Sequence, residues 1–299
     1  MATAYVLYNK KAGTEDSVES AKNLALVIED EVKFIDVTEI SNYTVFLAGL
    51  NEEDYIILAG GDGTLNCFAN NVDGILFSQK VLYFPNGTGN DFAHDLGYSK
   101  ECNPIDVTDY IKNLPRVTVN GKTSRFINGV GYGIDGYCCE VGDRLKQIPG
   151  KKINYAAIAV KGLLFHFKPA RAEITVDGKT ETYEKVWIAP TMNGRFYGGG
   201  MMPTPNQKRN SGKLSVMVFH DSGKLKTLTI FPSIFKGEHI QHTKYVKVLT
   251  GNEITVKFDR PTALQIDGET VLDVSSYTAF VDENALETEY VSTAAERAN

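Results

Sequence analysis

The strongest constraint on the fold is a rhythm in the first third of the chain: short apolar runs end at turn residues and hand over to helical patterns. Tyr5-Val6-Leu7-Tyr8 is ended by Asn9-Lys10-Lys11-Ala12-Gly13, and residues 16–29 follow with Val18, Ala21, Leu24, Ala25 and Ile28 at helical spacing. Val32–Val37 predicts a second strand and Thr44–Leu50 a helical segment. Tyr55-Ile56-Ile57-Leu58-Ala59 runs straight into Gly60-Gly61-Asp62-Gly63-Thr64, Leu65–Asn71 reads as helix, and Val81-Leu82-Tyr83-Phe84 is a further strand. Strand, turn and helix in alternation predict a parallel sheet wrapped by helices.

Near residue 115 the texture changes. Val117–Asn120, Gly121 and Lys122–Ile127 form a hairpin pattern around Asn-Gly, and Glu173–Val176, Asp177-Gly178 and Lys179–Tyr183 form another around Asp-Gly. Trp187–Pro190, Leu214–His220, Tyr245–Thr250 and Glu253–Phe258 continue as short β-rich segments, and Asn154–Phe167 reads as the one helix of appreciable length. An α/β domain over 1–116 is thus followed by a mostly antiparallel β domain over 117–283, with 284–299 a candidate to pack back on the first.

Composition removes several function classes. The 299 residues carry 31 Lys+Arg against 37 Asp+Glu, a net charge of −6 without basic blocks, which argues against nucleic-acid binding. Four cysteines with no CxxC spacing fit neither a disulfide scaffold nor a zinc cluster, so a reducing, cytoplasmic setting is expected. The first residues place lysines after a short apolar run, the reverse of a signal peptide, and no stretch approaches the ~18–20 apolar residues of a membrane span. The protein is therefore expected to be soluble or at most peripheral on a membrane, and no oligomeric state is implied.

Two loops carry the chemical signal. Residues 58–66, LAGGDGTLN, lie between an apolar strand and a helix, where glycines let backbone N–H groups approach a phosphate and the helix N-terminus adds a positive end. Residues 84–93, FPNGTGNDFA, also follow a strand, and ligands of open α/β sheets bind beyond such C-terminal strand ends. Each loop taken alone is equally a tight turn. The chain has no GxxxxGK[ST], and Gly87-Thr88-Gly89 is only part of a dinucleotide fingerprint.

Together, GGDGT at 60–64 and NGTGNDFA at 86–93 resemble the diacylglycerol kinase catalytic domain of bacterial soluble lipid kinases, relatives of sphingosine and ceramide kinases. The resemblance extends over almost the whole chain, through Asn9–Gly13, Ile105-Asp106-Val107, GYGIDG at 131–136, Gly198-Gly199-Gly200-Met201 and Gln265-Ile266-Asp267-Gly268-Glu269. GGDGT alone is shared with NAD kinases and phosphofructokinases; the ordered set is far more specific. The resemblance implies a Rossmann-like N-terminal domain, a C-terminal antiparallel β-sandwich and ATP in the interdomain cleft.

By position, it implies nucleotide contacts from Asn9, Lys10, Lys11, Ala12, Gly13, Thr38, Gly60, Gly61, Asp62, Gly63, Thr64, Asn66, Asn86, Gly87, Thr88, Gly89 and Asn90. It also implies Mg²⁺ organised by Asp62, Asp91 and Asp106, partly through water, and Glu269 as general base with Asp267 its electrostatic neighbour. Two departures stand out. Lys10 replaces the family's proline, and Asn210-Ser211-Gly212 replaces an Asp-Asp-Gly turn that holds a structural magnesium. Ser211 brings no charge, so a structural cation on Ser211 and the carbonyls of Lys208 and Lys213 is expected to be weak or absent.

The residues themselves leave alternatives. Asp91 fits a helix cap as well as a cation, Asp106 inside an apolar run needs a cation or a backbone donor, and Asp267-Gly268 is a good hairpin turn. The segment Lys146–Lys168, with Leu163-Leu164-Phe165-His166-Phe167, reads either as a basic-apolar face for a lipid headgroup layer or as a helix packed on the β domain. The expected activity is ATP- and Mg²⁺-dependent phosphorylation of a diacylglycerol-like lipid. An NAD kinase and a non-catalytic nucleotide- or lipid-binding homologue stand as alternatives.

Overall fold

The computed structural model describes residues 2–10, 15–99, 102–148 and 153–281, with only the backbone of 15–18. Lys11, Ala12, Gly13, Lys151, Lys152 and the segment 284–299 lie outside the described residues. Two compact units are present, one ending at Leu114 and the other beginning at Pro115.

The first unit holds strands β1 (Thr3–Tyr8), β2 (Glu31–Asp36), β3 (Tyr55–Gly60), β4 (Lys80–Pro85) and β5 (Ile105–Asp106) in the order β2-β1-β3-β4-β5. The first four are parallel, with Tyr8 opposite Asp36, Leu7 opposite Leu58 and Gly60 opposite Pro85. Two-residue β5 adds antiparallel to β4. Helices α1 (Glu15–Lys22), α2 (Tyr43–Ala48), α3 (Asp62–Asn71), α4 (Asp91–Asp95) and α5 (Thr108–Lys112) connect them. Covering helices explain why β1 and β3 read as continuous apolar runs: Val6, Leu7, Ile56, Ile57 and Leu58 are all buried. Helix α1 gives way to a 3₁₀ turn over Asn23–Leu26, so the regular helix is shorter than the 16–29 pattern.

The second unit contains β6 (Arg116–Val119), β7 (Lys122–Arg125), β8 (Gly129–Tyr132), β9 (Ala170–Val176), β10 (Lys179–Val186), β11 (Thr191–Met192), β12 (Leu214–Phe219), β13 (Val246–Gly251), β14 (Glu253–Ile266) and β15 (Glu269–Phe280). Their order is β13-β12-β11-β8-β14-β15-β6-β7, with β9 joining β14 to β10, and every pair is antiparallel. Long β14 pairs with β9 through Ile254–Phe258 and with β8 through Leu264–Ile266; its register breaks between Lys257 and Thr262, around Pro261. The Asn120-Gly121, Asp177-Gly178 and Asp267-Gly268 turns all have positive φ at both residues, the geometry that lets a two-residue hairpin follow strand twist. Val130, Tyr132, Ile174, Val216, Val256, Leu264 and Tyr277 meet in the main core.

Among the described residues, three α-helices accompany this sheet: α6 (Ile134–Lys146), α7 (Tyr155–Lys161) and α8 (Lys224–Ile230). The longest is α6, whose 13 residues lie where the sequence shows a glycine-rich segment. Its glycines serve close packing: a Cβ on Gly136 would stand 2.0 Å from the Ala263 carbonyl oxygen. The Asn154–Phe167 pattern instead splits into α7 and a single π turn over Gly162–His166. Ile158, Leu163 and Phe167 pack with Trp187 and Met217, which favours the packed reading of that segment, while Phe165 is exposed. Trp187–Pro190 is no strand; Ile188 makes single bridges to Gly133 and Phe219.

Candidate functional site

Sheet order alone locates a crevice in the first unit. Chain connections leave β1 toward β2 on one side and reach β3 on the other, so the order 2-1-3-4 reverses between β1 and β3. Ligands of open parallel sheets bind at such a switch point, outside the carboxyl ends of the strands. Asn9 and Lys10 follow β1, Gly60 ends β3 and Asn86 follows β4, so the candidate nucleotide residues meet along one sheet edge.

The two glycine loops are joined directly. Asn86 N–H donates to the Gly60 carbonyl at 2.9 Å, and a Cβ on Gly87 would lie 2.4 Å from Gly61 Cα. Only glycine permits that backbone approach. Asn90, left-handed at φ 53°, closes the second loop: its Oδ1 accepts from Gly87 N–H and its Nδ2 donates to the Gly87 carbonyl, both at 2.9 Å. Gly63, Thr88 and Gly89 remain exposed above buried Asn86, Asn90 and Asp91. Gly61 caps ten-residue α3; Thr64 N–H turns back to the Gly61 carbonyl at 2.9 Å, which leaves the N–H groups of Asp62 and Gly63 without a carbonyl partner within the helix.

Lys10 pairs with Asp36 at 3.6 Å and Glu39 at 3.5 Å. Its pKa is raised by the Tyr8 phenol and then the Glu39 carboxylate. Thr38 is exposed, with its N–H on Asp36 Oδ1 at 3.1 Å.

The aspartates expected around magnesium differ in their hydrogen bonds. Asp62 accepts the N–H groups of Asp91 at 2.8 Å and Phe92 at 3.0 Å, capping α4 from the other loop. Asp106 is exposed and caps α5 through Thr108 N–H at 3.0 Å and Thr108 Oγ1 at 2.7 Å. Asp91 is buried. Among the described residues no three or more His, Cys, Asp or Glu side chains gather into a group able to hold a metal. Asp62 and Asp106 each cap backbone donors, Asp106 with one carboxylate oxygen, and the aspartates do not form a protein-only magnesium cage. Mg²⁺ characteristically takes one or two carboxylates plus substrate phosphates.

In the second unit, Asp267 and Glu269 occupy one hairpin but are differently placed. Asp267 accepts from the backbone N–H groups of Ile127, Asn128 and Gly129, the last two at 2.8 and 3.0 Å. Its own N–H returns to the Gly129 carbonyl at 3.0 Å. This carboxylate therefore anchors the turn. Glu269, two residues on, is exposed at the start of β15. Gln265 Oε1 supports the turn from Gly268 N–H at 2.7 Å, and Thr270 Oγ1 ties it to Asp143 at 2.6 Å. Lys146, bonded to Asp143 at 2.8 Å, has its pKa raised by that bond first and by Glu269 among other charges, so an ammonium group stands in the field of Glu269.

Asp135, in the first turn of α6, was not singled out by sequence. Burial pushes its carboxyl up to about 6, against hydrogen bonds from Gly136 N–H and the Tyr197 hydroxyl at 3.2 Å. Because the folded group binds its proton more tightly than the unfolded one, its contribution to stability is fully present below pH ~4 and is lost as pH rises through about 6. Asp135→Asn is expected to remove that slope, gaining up to about 3 kcal/mol over the parent at pH 7 relative to pH 4. Urea unfolding at both pH values checks it; parallel profiles would contradict the assignment.

The structural cation does not fit either. The carbonyls of Lys208 and Lys213 both accept from the Gln207 side-chain amide, at 3.3 and 2.7 Å, and Ser211 is exposed.

The family model of the diacylglycerol kinase catalytic domain matches residues 3–120, and that of the YegS C-terminal NAD kinase beta sandwich-like domain matches 128–286. The chain belongs to the diacylglycerol kinase catalytic domain family. Among curated relatives, the diacylglycerol kinase of Bacillus subtilis (strain 168) is 29% identical over 289 residues, covering 90% of each chain. The diacylglycerol kinase of Mycobacterium tuberculosis (strain ATCC 25618 / H37Rv) is 26% identical over 222 residues, 69% of this chain and 70% of that one. A crystal structure of a putative diacylglycerol kinase from Bacillus anthracis str. Sterne shares the fold at TM-score 0.66 and 19% identity, covering 95% of this chain and 93% of that one. As a member of the diacylglycerol kinase family, the chain is a kinase-type enzyme with a parallel-sheet N-terminal domain and an antiparallel C-terminal one.

Proposed function

We propose that this chain transfers the γ-phosphoryl group of ATP to the free hydroxyl of a diacylglycerol-like lipid. The observation that carries the reading is the backbone contact of Gly61 with Gly87 beside the β1/β3 switch point. It presents N–H groups and a helix N-terminus where polyphosphate oxygens bind. Asn9, Lys10, Thr38, Gly60, Gly61, Gly63, Thr64, Asn66 and the loop Asn86–Asn90 are the proposed nucleotide contacts, with Asp62 and Asn90 shaping the loops.

Glu269 is the proposed general base. The lipid oxygen attacks the γ-phosphorus, its proton passes to the Glu269 carboxylate, and the bond to the β-phosphate oxygen breaks to release ADP. Asp267 has spent its acceptors on three backbone donors and acts as the anchor that fixes the turn. Bound with ATP, a magnesium ion would neutralise charge on the phosphates, with Asp62, Asp91 and Asp106 the proposed carboxylates near it, partly through water. Such a substrate requires peripheral contact with a lipid surface. Among the described residues no helix is long and apolar enough to cross a membrane.

ATP turnover measured with diacylglycerol micelles, with NAD, and without acceptor tests the proposal. Turnover is expected only with the lipid; NADP formation, or equal turnover without lipid, would reject it.

A further inference from the structure

The turn at Asn210-Ser211-Gly212 lacks the two carboxylates that accompany a structural cation in the family it resembles, yet the carbonyls around it still converge. They converge on nitrogen. Gln207 is buried, and its Nε2 donates to the carbonyls of Lys213 at 2.7 Å, Asn193 at 3.2 Å and Lys208 at 3.3 Å. Its Oε1 accepts the Ser215 hydroxyl at 2.6 Å, and the Ser215 oxygen lies 2.8 Å from the Thr250 hydroxyl oxygen. Three carbonyl acceptors on one side and a hydroxyl donor on the other fix which amide atom is which.

We propose that the Gln207 carboxamide replaces the structural cation in this chain, gathering by hydrogen bonds the oxygens that a divalent ion would otherwise draw together. Mg²⁺ needs oxygen ligands at about 2.0–2.1 Å and Ca²⁺ at about 2.3–2.6 Å. The amide nitrogen, at hydrogen-bond distance from all three carbonyls, fills the space where either ion would sit. Its two N–H groups satisfy acceptors of a loop that lacks the charge to retain a metal. The exchange keeps the loop in place without a cation concentration to depend on.

What the amide holds bears on the rest of the unit. Asn193 Nδ2 donates to the Ile127 carbonyl at 3.0 Å, and Arg209 bonds the same carbonyl at 2.6 Å. The N–H groups of Ile127, Asn128 and Gly129 are those that grip Asp267. Gln207 thus stands at the base of the chain of contacts that fixes the Asp267-Gly268 turn.

Thermal unfolding without nucleotide tests the proposal independently of any kinase activity. The wild-type Tm is expected to be the same with EDTA, with Mg²⁺ and with Ca²⁺. Ser211→Asp alone is expected to acquire no metal response, because the amide still fills the site. Gln207→Ala/Ser211→Asp vacates the site and returns a carboxylate, and should gain about 3 °C or more with a divalent ion. Gln207→Glu, nearly isosteric, turns a carboxylate oxygen toward the carbonyls; it should melt lower than wild type and recover with Ca²⁺ or Mg²⁺. A wild-type or Ser211→Asp Tm that falls in EDTA would overturn the proposal. So would absence of metal rescue in both Gln207 variants, or a Gln207→Glu protein as stable as wild type without metal.

Discussion

Glu269→Gln is expected to lower kcat for lipid phosphorylation by about two to three orders of magnitude while leaving the Kd for ATP nearly unchanged. The substitution keeps the volume and the hydrogen-bonding capacity of the side chain but removes its ability to take a proton. Glu269 is exposed and lies outside the backbone clamp that occupies Asp267, so its replacement does not unravel the hairpin. Asp267→Asn separates the two roles. It turns one acceptor oxygen into an NH₂ donor facing backbone N–H groups, so it should lower stability and activity together. Steady-state kinetics with isothermal titration of ATP distinguish the cases. A Glu269→Gln enzyme with wild-type kcat would move the base elsewhere.

Gly87→Ala should strike the nucleotide loops. The added methyl would stand 2.4 Å from Gly61 Cα, 2.8 Å from Asn90 Oδ1 and 3.0 Å from Gly61 N, and two of these three are backbone. Neither loop yields cheaply: Asp62 ties α4 to the first loop, and Asn90 holds both polar atoms of Gly87. Overpacking of this kind costs about 1–3 kcal/mol. Part of that loss falls on the backbone N–H array, and a weakening of ATP binding by about tenfold or more is expected. Gly63→Ala is the steric control, because nothing lies within 4 Å of its Cβ position, and it should unfold like wild type. A Gly87→Ala protein that matches wild type in both ATP affinity and unfolding would show that the loops do not meet as described.

The legibility of this chain in its sequence follows the range of the interactions involved. Strands β1 and β3 were readable because burial on both faces leaves continuous apolar runs, and the three Xaa-Gly hairpins because left-handed φ at two successive residues selects Asn, Asp and Gly. Helix α6 was not, because Gly133 and Gly136 look like loop residues when they are in fact places where the backbone meets Trp187 and Ala263. The caps made by Asp62 and Asp106 left no pattern to read: Asp62 takes two N–H groups across a separation of about thirty residues, and Asp106 takes that of Thr108. The carbonyls that engage Gln207 come from Asn193, Lys208 and Lys213, and backbone acceptors leave no mark on a residue pattern. The Glu269 assignment remains tied to the family motif, since an exposed glutamate after a hairpin turn has no sequence signature of its own.

Phosphoryl transfer from ATP to a lipid hydroxyl is followed most directly through the phosphate itself. ATP labelled in its γ-phosphate is incubated with the protein and diacylglycerol in mixed micelles, and the lipids are extracted. Label is expected in the organic phase as a phosphomonoester of the supplied lipid, in proportion to enzyme and lowered about a hundredfold or more with Glu269→Gln. Label confined to the aqueous phase, as inorganic phosphate or as NADP when NAD is supplied, would contradict it.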